Sequence, residues 1–221
     1  YKRATKVTEY IFRESDFPKN WMDEIYENNM PLLNLKGTDI VVPKNWFMSA
    51  VALILWRIEN PQRKYIKLSL NKIDHLSMFE KFFNAVKRDI LRKYLHSNDP
   101  LYREILNSPF ILADSKKLST TSILREVDAV PKNYPQGAFI AHCFLLGEGW
   151  DPENGWLLDS HFVDSVNSST RIYQDHNRTT RIGDGRFSES NVIVAAYDGQ
   201  DIENKNPYNE MFAPLLNIAK A

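Results

Sequence analysis

Glycine is spread unevenly along this chain, and that asymmetry limits what it can fold into. Of 8 glycines, only Gly37 precedes residue 137, whereas Gly137, Gly147, Gly149, Gly155, Gly183, Gly185 and Gly199 crowd the remainder. Glycine permits tight turns and weakens helix interiors, so 1–134 is expected to be mostly helical and 135–221 β-rich with a long polar loop. The stretch from Lys132 to Gly137 is too short for a flexible linker, and 1–221 reads as a single composite domain. The expected class is α+β, a helical N-terminal part packed on a mainly antiparallel sheet formed largely by the C-terminal part.

Local patterns fill in the elements. Pro18-Lys-Asn-Trp21 and Pro43-Lys-Asn-Trp46 each offer an asparagine cap ahead of an apolar stretch, which predicts helices over 20–29 and 45–59. Ile66, Leu68 and Leu70 alternate with polar residues, the pattern of a half-buried strand. Leu76, Phe79, Phe83, Val86, Ile90 and Tyr94 recur at helical steps. Asp99-Pro100 opens a short helix to Leu106, and Phe110–Ala113 reads as a strand. Ala138–Gly147 and Trp156–Ser165 flank Asp-Pro and Asn-Gly turn residues and are expected to form a hairpin; Ile193–Tyr197 adds a strand, and Asn206-Pro207 opens a short helix.

Charge and cysteine narrow the function classes. With 28 basic and 28 acidic residues the net charge is zero, so attraction to nucleic acid must come from a local patch. Cys143 is the only cysteine, which rules out an internal disulfide and fits a reducing, intracellular and cytoplasmic setting. Asn167-Ser-Ser and Asn177-Arg-Thr match the glycosylation sequon, which matters only in a secreted protein. The apolar run Trp46–Trp56 is about half the roughly 20 residues needed to cross a bilayer, so no membrane partner is expected. Tyr1–Lys6 lacks the apolar stretch of a signal peptide, and a start without Met fits a fragment of a longer protein.

Two residue sets carry candidate chemistry. The stretch from Ser168 to Ser190 holds Arg171, Arg178, Arg181 and Arg186 among hydroxyls and a Gly183-Asp-Gly185 turn, a composition suited to phosphate. Arg63–Lys93 is basic as well, and its helix would present Lys87, Arg88 and Arg92, with Trp150 or Tyr173 available for base stacking. Walker and dinucleotide spacings are absent. The second set follows from the expected hairpin: pairing Gly147 with Trp156 places His142 opposite His161, with Asp159 on the same face. Two imidazoles and a carboxylate suit a divalent transition metal with open positions. Cys143 beside His161 has the residue types of a thiol nucleophile, but an apolar mid-strand cysteine more often behaves as a small hydrophobe.

Ser119-Thr-Thr-Ser122, followed by Pro131-Lys and Gly137, loosely resembles the Ser-Thr-Ser region of toxin-type ADP-ribosyltransferases. The resemblance implies an NAD site and a later Glu-x-Glu. The corresponding triplet here is Glu153-Asn-Gly155, without the second glutamate, so the family is not assigned. The same serines can cap a helix over Ile123–Asp128.

Three readings follow: a binding module for a phosphate-bearing ligand, foremost nucleic acid, through the arginine loop and basic helix; a metal-dependent enzyme at His142, Asp159 and His161; and a protein-interaction or assembly subunit.

Overall fold

The runs Tyr65–Ser69, Ala138–His142 and Leu158–Phe162 are buried at every position, and strands buried on both faces need a layer of structure on each side. In the computed structural model, which describes residues 2–3, 6–13, 25–29, 32–146, 150, 158–164, 181–182 and 189–196, they have it. In chain order the elements are β1 (Lys2–Arg3), β2 (Lys6–Arg13), β3 (Tyr26–Asn29), β4 (Leu32–Leu35), β5 (Val41–Pro43), α1 (Lys44–Glu59), β6 (Tyr65–Ser69), α2 (Asp74–Tyr94), α3 (Pro100–Leu106), β7 (Phe110–Ala113), α4 (Thr120–Asp128), α5 (Val130–Asn133), β8 (Ala138–His142), β9 (Leu158–Phe162), β10 (Arg181–Ile182) and β11 (Glu189–Ala196).

The central sheet has six strands in the order β2-β11-β9-β6-β8-β7, and every adjacent pair in it is parallel. This overturns the expected mainly antiparallel sheet. The hairpin is also absent: β8 and β9 run parallel, and β6 lies between them. Strands β6 and β7 lie where strands were expected and β2 where none was, and all three join this sheet from the N-terminal part, so the sheet is not formed largely by the C-terminal part. Antiparallel pairing is confined, among the described residues, to β3-β4-β5 and to β1 with β10.

Helices cover both faces. Ile66, Leu68, Phe139 and Ala141 pack with α1 and α2 on one face, while Tyr65, Ile111, Ala138 and Ile140 pack with α4 and α5 on the other. Helix α1 is buried from Trp46 to Arg57, because the sheet, α2 and the β3–β5 layer enclose it; full burial of each large apolar side chain contributes about 1.5–3 kcal/mol. Phe83 seals α2 to the sheet, 4.9 Å from Phe110 and 5.0 Å from Phe139 between ring centroids.

Several local signals act as expected. The Asp99 side chain accepts from Leu101 N at 2.8 Å with Pro100 in the first turn, and the helix ends at Leu106. Ser119 caps α4, accepting from Ser122 N at 3.3 Å, which gives the serine cluster a structural role. Others differ. Asn45 is not a cap but donates Nδ2 to the Val163 carbonyl at 3.0 Å, and Tyr26–Asn29 is a strand where a helix was expected. The strand at Tyr65–Ser69 is buried on both faces, Lys67 included, rather than half-buried. Gly147, Trp156 and the helix expected at Asn206 lie outside the described residues.

Candidate functional site

Because the six strands are parallel, their carboxyl ends share one edge. Register sets Ser69, Ala113, His142 and Phe162 level with one another. From there the chain leaves β6 toward α2 on one face, and leaves β7 toward α4 on the other. After β8 it runs to Leu146 and Trp150, which belong to the α4 side. The neighbours β6 and β8 therefore send their chains to opposite faces, and the crevice opened by such a reversal is where parallel α/β sheets bind ligands.

Side chains fix this edge closely. Ser69 Oγ and His142 Nε2 are 2.9 Å apart at its floor. Asp164, just past β9, accepts from Trp46 Nε1 at 3.0 Å, from the backbone of Asn71 at 2.9 Å and from His75 Nδ1 at 3.0 Å, so one carboxylate ties α1, the loop after β6 and the start of α2 together. Asp114 turns the loop after β7 by accepting from Lys116 N at 2.9 Å. Lys116 Nζ reaches Asp74 at 2.8 Å, and that hydrogen bond holds the Asp74 carboxyl below its usual range. Lys72, Lys116 and Lys117 are exposed at this edge, with Lys116 bound to Asp74 and Lys117 Nζ 3.6 Å from Asp114, so lysines and aspartates balance there.

The three residues of the metal hypothesis do not form a set. His161 faces α1: its Nδ1 donates to the Ile193 carbonyl at 2.8 Å, and its Nε2 accepts from Ser49 Oγ at 2.8 Å. Asp159, on the same face as expected, accepts from Trp56 Nε1 at 2.9 Å, Asn191 Nδ2 at 2.9 Å and Arg63 Nε at 3.0 Å, and pairs again with a terminal nitrogen of Arg63. His142 alternates with Ala141 and so points to the α4 side. The parallel register also places His161 level with Ala141 rather than with His142, through their shared partner Leu68. Among the described residues, no three of His, Cys, Asp and Glu group as metal ligands.

Of the phosphate candidates, Arg171, Arg178 and Arg186 lie outside the described residues, and Arg181 is placed by its backbone in β10, opposite Arg3 of β1. Arg88 and Arg92 are exposed on α2, whereas Lys87 is buried, with Nζ donating to the Ser108 carbonyl at 3.3 Å and lying 5.8 Å from the Phe83 ring centre. Burial lowers the Lys87 pKa to about 8. Trp150 is buried and donates Nε1 to Asp128 at 3.0 Å, so it is not a stacking surface; Tyr173 is outside the described residues. Cys143 follows β8 directly and is half-buried. Phe144, the next residue, was not anticipated: it is 46% exposed and adopts φ of 68°, a left-handed conformation whose need no sequence pattern announces.

No helix among the described residues is long and apolar enough to cross a membrane. No family model matches the chain, and no curated protein matches it. Among solved structures the chain is similar to the ATP-dependent Type ISP restriction-modification enzyme LlaBIII bound to DNA, with a TM-score of 0.51 and 15% identity over 95% of this chain. It spans 13% of that much longer chain, and at this identity the likeness is one of fold.

Proposed function

We propose that the chain is a phosphate-binding α/β lobe that engages nucleic acid as part of a larger ATP-dependent protein acting on DNA. The observation that carries this reading is the likeness of 95% of the chain to part of a DNA-bound, ATP-dependent enzyme. The clustering of arginines in the sequence supports it. The sequence stretch that follows β9 bears Arg171, Arg178, Arg181 and Arg186; of these Arg181 lies in β10 against Arg3 of β1, shortly before the amino end of β2. Arg88 and Arg92 offer further exposed cations on α2.

The test is a titration of fluorescent single- and double-stranded oligonucleotides at two salt concentrations. Binding through phosphates weakens steeply as salt rises, and Arg178→Ala with Arg181→Ala weakens it further and flattens the salt slope. Absence of binding at low salt overturns the reading.

A second use of the same arginines is favoured by one observation: the chain lacks a Walker sequence yet is similar in fold to part of an ATP-dependent enzyme. In Gln174-Asp-His-Asn-Arg178-Thr-Thr-Arg181, the two arginines could serve a nucleoside triphosphate held by another domain, stabilising charge on the transferred phosphoryl group. Nucleotide turnover by the full-length protein separates the two uses. If Arg181→Ala reduces turnover about 1000-fold or more while oligonucleotide affinity is kept, the arginine serves the triphosphate.

A further inference from the structure

Strands β1 and β10 pair over two residues each, and their register sets Lys2 opposite Ile182 and Arg3 opposite Arg181. Residues directly opposite in an antiparallel pair share one face of the ribbon, with Cβ atoms about 4.5–5.5 Å apart. Two arginines from distant parts of the sequence are thus based side by side. Like charges so placed destabilise a strand pair, and a ladder this short has few hydrogen bonds to offset the repulsion. The ribbon brings no carboxylate of its own, since its residues are Lys2, Arg3, Arg181 and Ile182. Where β2 begins beside β11, Glu189 is level with Lys6 and not with either arginine.

An anion held between the two arginines accounts for their juxtaposition. A guanidinium group keeps its charge at all ordinary pH and donates two parallel hydrogen bonds to phosphate oxygens. Two such forks, based about 5 Å apart, can address one phosphate group from two sides. Binding then replaces repulsion across the ribbon with charge-assisted bonds, so the ligand also stabilises the pairing of β1 with β10.

We infer that Arg3 and Arg181, opposed across β1 and β10, together bind one phosphate group. This deepens the reading of Arg181 as a phosphate contact and rests on it. It adds Arg3, which lies far in sequence from the arginine-rich stretch and enters only through the strand register. A nucleic-acid backbone and a nucleoside triphosphate both present the required oxygens.

The experiment measures anisotropy of a labelled oligothymidine and of a labelled ATP on the purified chain and on Arg181→Ala, Arg3→Ala, their double variant and Arg3→Glu, with a thermal midpoint for each. Arg181→Ala and Arg3→Ala are each expected to weaken binding about ten-fold or more. The double variant should lose less than the two losses combined, because both arginines hold the same group. Arg3→Glu separates binding from structure. A carboxylate opposite Arg181 turns repulsion into attraction, so the midpoint of the free chain should hold or rise while affinity falls further than in Arg3→Ala. A purely structural role for Arg3 would keep affinity wherever the midpoint is kept. Losses on oligothymidine alone assign the phosphate to a nucleic-acid backbone and losses on ATP alone to a triphosphate, and either result supports the pair. If Arg181→Ala weakens binding while Arg3→Ala and Arg3→Glu bind as tightly as the parent, the pairing is overturned and the reading of Arg181 stands. Arg181→Ala without effect, or a parent that binds neither probe at low salt, removes both.

Discussion

Ser49 and His161, 112 residues apart in sequence, meet in the core with Oγ and Nε2 2.8 Å apart. Since His161 Nδ1 must donate to the Ile193 carbonyl, Nε2 is the acceptor and the imidazole is neutral. Burial lowers the His161 pKa to about 4. The unfolded chain, titrating near 6.5, therefore binds the proton more readily than the folded chain. Stability is fully present above about pH 6.5 and falls as pH drops toward 4, by about 3 kcal/mol at most from this residue. Urea midpoints between pH 7 and 4 check this, and His161→Gln should remove that part of the slope.

Arg63 and Asp159 form a buried pair that Trp56 and Asn191 complete. Arg63→Met leaves a buried carboxylate without its cation and should cost about 3–5 kcal/mol. Removing both charges in Arg63→Met with Asp159→Leu should recover part of that loss, because no uncompensated charge then remains. Denaturant unfolding of the two single variants and the double variant gives the coupling energy.

Gly137 sits at φ of 114°, and a Cβ placed there would lie 2.5 Å from the Lys64 carbonyl oxygen. That carbonyl accepts from Ala138 N at 3.1 Å as β8 begins beside β6, so it cannot easily retreat. Gly137→Ala combines a forbidden backbone angle with a backbone clash. We expect a loss of about 2 kcal/mol or more in thermal or denaturant unfolding.

The helices and caps were legible because their signals are local. Asp99 with Pro100, the serine cap at Ser119 and the apolar stripe of α2 each act within a turn or two of chain. The sheet was misread for the opposite reason. Ala138–His142 and Leu158–Phe162 are near in sequence and flank turn residues, yet each pairs with Tyr65–Ser69, some 70 to 95 residues earlier. Parallel pairing leaves no short turn as a signature, and what it does leave is the near-continuous apolar run from Ala138 to Leu146. With the hairpin gone, the proposed approach of His142 to His161 goes too. Phe144 escaped notice because a left-handed turn made by a non-glycine residue has no sequence marker.

Lys87 and Arg88 are neighbours on α2, both read from sequence as phosphate contacts, and the structure separates them. Lys87 is buried against Phe83 and Ser108, while Arg88 is exposed. Burial holds the Lys87 pKa near 8, below the unfolded value of about 10.4. The folded state therefore disfavours the charge, and stability should rise as pH increases from about 8 to about 10.4, where the unfolded chain alone still binds the proton. Lys87→Met removes that penalty and should raise stability at pH 7 by about 1–3 kcal/mol, offset in part by the lost bond to Ser108. The gain should shrink toward pH 10. A buried ammonium cannot reach a phosphate, so Lys87→Met should leave oligonucleotide affinity and its salt slope unchanged. Arg88→Ala, with little effect on folding, should weaken binding and flatten the slope if α2 lines the interface. Parallel unfolding and anisotropy measurements on the two variants separate a cation that faces the nucleic acid from one that faces the core.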